Sequence, residues 1–104
     1  MNPDRLILIV EDEPDAAELL EHRLRQRGLE TVVAANGHDA LRAAALCKPD
    51  LVSLDLMLPG LHGLEVCQRL KSDPATERIP ILVLTALATA EDKLRGFGAG
   101  RTIT

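Results

Sequence analysis

Leu6-Ile7-Leu8-Ile9-Val10-Glu11-Asp12 opens the chain with five apolar residues in succession, cut off by two carboxylates. A short continuous apolar run bounded by polar residues fits a strand buried on both faces. The pattern returns at Leu51-Val52-Ser53-Leu54, which stops at Asp55, and at Ile81-Leu82-Val83-Leu84, which ends at Thr85-Ala86. Open α/β sheets bind their ligands at the carboxyl edge of the strands. If these strands are neighbours, Glu11, Asp12 and Asp55 converge on one small volume. Like charges that close need a cation between them or must take up protons. An oxygen-only donor set suits a hard ion, most simply Mg²⁺.

Helical patterns fill the gaps between the apolar runs. Pro14 to Arg27 reads as a helix, with Pro14 in the first turn, where its missing N–H costs nothing, and Ala17, Leu20 and Leu24 as its apolar stripe. Asp15, Glu18 and Glu21 come early and Arg23, Arg25 and Arg27 late, an order that complements the helix dipole. Gly28 reads as the stop. A second, shorter strand covers Glu30 to Ala35, Asn36-Gly37 turns the chain, and a helix follows from His38 to Leu46. Lys48-Pro49-Asp50 leads into the third strand. Pro59, Gly60 and Gly63 mark a loop before a helix from Leu64 to Lys71, and Asp73-Pro74 opens the connection to strand four. Thr89 to Asp92 has the form of a capping box for a helix ending at Gly96 or Gly98, and Thr102-Ile103-Thr104 is a strand-like stub. Alternation of this kind predicts a parallel sheet wrapped by helices.

The chain's 104 residues make one domain, and 46% hydrophobic residues suffice for a packed core. Phe97 is the sole aromatic residue, which removes the side chains that stack nucleobases, and the net charge of −4 opposes a phosphate-backbone binder. Direct nucleic-acid binding is therefore not expected. No apolar run approaches the ~20 residues of a membrane span. The amino terminus enters a strand without a secretory signal, so the expected location is the cytoplasm. Cys47 and Cys67 have no metal-ligand spacing and read as reduced, buried small side chains; His22, His38 and His62 read as surface residues.

Taken in order, Glu11-Asp12, Asp55 in the run Asp55-Leu56-Met57-Leu58-Pro59-Gly60-Leu61-His62-Gly63, and Thr85-Ala86 resemble the response-regulator receiver domain of two-component signalling. The resemblance spans residues 5 to about 100. It implies a flavodoxin-like, doubly wound, parallel five-stranded sheet of order 2-1-3-4-5. It also implies a phosphoacceptor at Asp55, supplied by a histidine kinase or a phosphotransfer protein, with Mg²⁺ as cofactor. Asp12 would bind the ion directly, Glu11 through water, and the backbone carbonyl of Met57 would be a further ligand. Thr85 would be the switch hydroxyl, and Ala86 would leave room for the phosphoryl group. Such a module is not an enzyme in its own right beyond accepting and hydrolysing its own phosphoryl group.

The sequence departs from the family pattern at its end. Gly100-Arg101-Thr102 stands where acidic and aromatic residues are usual, and Thr104 closes the chain where the family's lysine would follow. The expectation is a receiver domain over residues 1–104 that is incomplete at its carboxyl end, lacks the fifth helix and carries no output domain. A shortened normal receiver and a natural divergent one both fit this ending. Without the last helix, apolar surface beside the first helix is expected, and with it a homodimer. Two other functions compete: a receiver-like scaffold that does not switch and acts by dimerising or docking, and a magnesium-dependent phosphatase. The phosphatase would need an acidic residue two positions after Asp55, where Met57 stands.

Overall fold

The computed structural model describes residues 5–55 and 63–84. Four strands, β1 (Leu6–Val10), β2 (Glu30–Ala34), β3 (Leu51–Asp55) and β4 (Ile81–Leu84), alternate with three helices, α1 (Pro14–Gln26), α2 (Gly37–Cys47) and α3 (Gly63–Ser72). The strands form one parallel sheet of order β2-β1-β3-β4. This is the flavodoxin-like order that the resemblance implies. The expected fifth strand, the capping box at Thr89 and its helix lie outside the described residues, as does His62.

Period-two alternation divides β1 between two apolar clusters. Leu8 and Val10 join Ala34, Val52, Leu54 and Ile81 beneath Ala40 and Ala44 of α2 and Val66 and Leu70 of α3. Ile7 and Ile9 face the other way, against Leu20 and Leu24 of α1. Burial on both faces is why β1 reads as an unbroken apolar run. β2, at the sheet edge, is mostly exposed or half-buried and carries Glu30 and Thr31.

The helix boundaries follow local chemistry. Asn36 is the N-cap of α2: its side-chain oxygen accepts from the Asp39 N–H at 2.9 Å, satisfying a donor that the helix leaves open. Asn36-Gly37 is thus a helix start, with Gly37 already inside α2. At the far end of α1, Gly28 adopts φ +84°, and the Leu29 N–H returns to the Leu24 carbonyl at 3.2 Å. A Cβ at Gly28 would meet nothing within 4 Å, so conformation rather than space favours glycine there. α2 ends without a glycine: Lys48 takes the left-handed conformation at φ 48°.

Cys47 corrects the expectation of two buried thiols, because it is exposed while Cys67 is half-buried. Cys47 is the last residue of α2, and the chain turns away through Lys48, so that Pro49 is buried instead. His22 and His38 are exposed, as expected.

Two polar clusters tie helix ends to the sheet. Arg25 Nε donates to Thr31 Oγ1, and both Arg25 Nη2 and the Thr31 hydroxyl donate to Glu21 Oε2, fastening the end of α1 to β2. The buried Thr76 hydroxyl donates to the Leu70 carbonyl at 2.7 Å, and Lys71 Nζ donates to the carbonyls of Glu77 and Ile79, closing the α3–β4 connection onto its helix.

On the sheet face beside α1, the described residues are buried at the centre and open at the β2 edge. Ser53 and Leu82, paired in register, are both buried, and Leu51 packs partly against the Ile7–Leu24 cluster. Among the described residues the large exposed apolar side chains are Val33, Leu46 and Leu64, and Val33, the register partner of Ile9, shares the face beside α1. Val33, at the β2 edge, is thus apolar surface exposed beside α1.

Candidate metal and phosphoacceptor site

The sheet order reverses direction at β1, which has β2 on one side and β3 on the other. A crevice at the carboxyl edge of such a switch point is where open α/β sheets take ligands. The chain places Glu11 and Asp12 directly after β1 and Asp55 as the last residue of β3. One ligand oxygen from each of the three lies within 4.8 Å of the others. The sequence expectation of convergence holds. No other described group of three or more His, Cys, Asp or Glu residues is placed to hold a metal.

Each carboxylate is held differently. Glu11 is 3% exposed; its N–H donates to the Ala34 carbonyl at 3.0 Å, which continues the β1–β2 ladder past the end of β1. Its Oε2 accepts from the Glu13 N–H at 3.2 Å. Asp55 is 5% exposed and stands opposite Leu84 in the β3–β4 register. Asp12 is exposed at the mouth of the crevice. The site thus has two buried carboxylates, Glu11 and Asp55, and one accessible carboxylate, Asp12.

At separations of this order, two unit charges repel by about 3 kcal/mol at an effective dielectric constant near 20. A divalent cation converts that repulsion into attraction. The donor chemistry fits Mg²⁺, a hard ion that takes oxygen ligands and keeps several waters alongside one or two carboxylates.

Met57, Thr85 and Ala86 lie outside the described residues, as do Pro59 and Gly60; Gly63 is the buried first residue of α3. Sequence reading missed the Glu13 amide as a partner of Glu11. No side-chain pattern signals it, because the donor is backbone. Among the described residues no helix is long and apolar enough to cross a membrane.

Comparison with known proteins agrees with this geometry. Residues 7–102 match the response regulator receiver domain. The chain is 43% identical over 94 residues to the DNA-binding dual master transcriptional regulator RpaA of Synechocystis sp., covering 90% of the chain and 39% of RpaA. It is 40% identical over 94 residues to the response regulator PleD of Caulobacter vibrioides, covering 90% of the chain and 21% of PleD. The chain therefore spans about two fifths of the one and one fifth of the other. The crystal structure of the N-terminal domain of a response regulator receiver protein from Methanoculleus marisnigri matches with a TM-score of 0.77 at 34% identity, covering 93% of the chain and 79% of that structure. On sequence, fold and the placing of its acidic cluster, the chain belongs to the response regulator receiver domain family.

Proposed function

We propose that this chain is a phosphoacceptor module of a two-component phosphorelay, taking a phosphoryl group on Asp55. The observation that carries the reading is the meeting of Glu11, Asp12 and Asp55 within 4.8 Å at the switch point of the sheet. A carboxylate oxygen of Asp55 attacks phosphorus as the bond to the donor breaks, the leaving group being the imidazole of a phosphohistidine or the acetate of acetyl phosphate. The transition state is loose and metaphosphate-like, so positioning and charge neutralisation dominate over covalent assistance. Bound Mg²⁺ would supply that neutralisation, held by Asp12, Asp55 and the Met57 carbonyl, with Glu11 acting through water. Burial fixes Asp55 at the end of a paired strand, which limits the directions from which its oxygens can attack.

Thr85 is the switch hydroxyl in this reading, and Ala86 leaves space for the phosphoryl group. The support is one of register: Asp55 stands opposite Leu84, and Thr85 is the next residue in the sequence. The partner is a histidine kinase or a phosphotransfer protein in the cytoplasm. Residues 1–104 act as one receiver unit that does not itself bind nucleic acid.

Treatment with acetyl phosphate and Mg²⁺ tests the reading. Intact-mass spectrometry should find one added phosphoryl group, mapped to Asp55 and lost in Asp55→Asn. Labelling that persists in that variant would assign the chemistry to another residue.

A further inference from the structure

Glu13 occupies an unusual junction between the acidic cluster and the first helix. It is the N-cap residue of α1, yet its own side chain makes no capping hydrogen bond. Its carbonyl accepts the first helical bond, from the Ala17 N–H at 3.0 Å. Its N–H, which helix formation leaves unused, donates instead to Glu11 Oε2 at 3.2 Å. Pro14 at the first helical position fixes the backbone just after this amide.

A carboxylate on a single bond can otherwise turn its oxygens toward or away from a neighbour at small cost. Anchoring one oxygen on a backbone N–H removes that freedom, and such charge-assisted bonds are stronger than neutral ones. We infer that the Glu13 backbone amide is a positioning group, which orients the Glu11 carboxylate toward Asp12 and Asp55 and so sets the strength of Mg²⁺ binding. The inference rests on the reading of this cluster as a magnesium site. It concerns the backbone of Glu13 and not its charge, so the type of side chain at this position matters less than the presence of an N–H.

Proline lacks that N–H, and the backbone of residue 13 itself accommodates it. Glu13 has φ −86° and ψ 114°, near the φ of proline and in the extended region that a residue preceding proline adopts. Glu13→Ala keeps the amide and removes the charge, so the comparison of Glu13→Pro with Glu13→Ala takes the charge out of the difference. Proline at 13 also restricts the backbone of Asp12, and the hydrogen-exchange measurement below separates that effect from loss of the N–H. Isothermal titration with MgCl₂ at fixed ionic strength should give about tenfold weaker binding for Glu13→Pro than for Glu13→Ala, which is about 1.4 kcal/mol. Equal affinities in two folded variants would overturn the inference. Absence of Mg²⁺ binding by the wild type would instead overturn the magnesium reading beneath it.

Amide hydrogen exchange on the wild type decides the matter if the proline variant does not fold. The Glu13 amide should be protected although it lies outside the helical ladder, and Glu11→Ala should lose that protection while Ala17 keeps its own. A Glu13 amide that exchanges at the unprotected rate in the wild type would overturn the inference.

Discussion

Val10 stands opposite Leu54 in the parallel ladder between β1 and β3. The following residue on each strand is a carboxylate, so Glu11 and Asp55 leave the sheet side by side, both buried. A shift of one residue in this register would turn each strand's side chains to the opposite face. The apolar clusters on the two faces therefore help to hold the acidic pair in place: in this register Leu8, Val10, Val52 and Leu54 are buried together on one face.

Magnesium should stabilise the fold. Native-only binding at about 100 times the dissociation constant contributes ~2.7 kcal/mol, a rise in Tm on the order of 10 °C for a domain of this size. Asp12→Ala should abolish the effect, and Asp12→Asn or Asp55→Asn should raise the Tm of the metal-free protein by relieving repulsion. Calorimetric scans with and without Mg²⁺ check this, and a wild-type Tm indifferent to Mg²⁺ would contradict it.

Removing the α2 cap should cost about 1 kcal/mol. Asn36→Ala takes away the acceptor for the Asp39 N–H, whereas Asn36→Ser keeps one without setting a second carboxylate against Asp39 Oδ2. Urea unfolding should show a lower midpoint with an unchanged slope for the alanine variant alone.

Thr76→Val should destabilise by roughly 1–3 kcal/mol. The substitution preserves shape but deletes the hydroxyl that satisfies the Leu70 carbonyl in a buried setting. Thr76→Ser should recover most of the loss, and a valine variant as stable as the wild type would show that water replaces the hydroxyl.

Lys48→Gly should stabilise by roughly 0.5–1 kcal/mol. The left-handed conformation at φ 48° costs a residue with a Cβ about 1–2 kcal/mol; the added freedom of glycine in the unfolded chain cancels part of the gain. Lys48→Ala, which keeps the Cβ, should bring no such benefit under the same denaturant titration.

The sheet was legible in the sequence because its central strands are buried on both faces. Leu6–Val10 and Ile81–Leu84 match the expected bounds, and β3 differs only by taking in Asp55. The helix ends were harder to read because they depend on backbone states that sequence signals only in part. Gly28 advertises a left-handed residue, whereas Lys48 adopts one without any such signal. The same limit applies at the site. Carboxylates are visible as letters, so Glu11, Asp12 and Asp55 could be named beforehand; the Glu13 amide is common to almost every residue and carries no letter of its own. Cys47 was misplaced because helical spacing says which face a residue shares, but not that the helix has reached its last turn.

The position of β1 between two strands also orders events during folding. Its closure with β2 joins Leu6 to Glu30, and its closure with β3 joins Ile7 to Leu51. The second loop is nearly twice as long, which adds only about 0.5 kcal/mol of closure entropy. Glu11 and Asp12 nevertheless have no third carboxylate beside them until β3 docks. A cation can therefore grip only a chain whose two halves have already met, and its grip is broken as soon as they part. If β3 docks after the main barrier, ligation acts as a brake on unfolding and leaves the folding rate nearly untouched. Magnesium should show itself chiefly in how long the native domain survives.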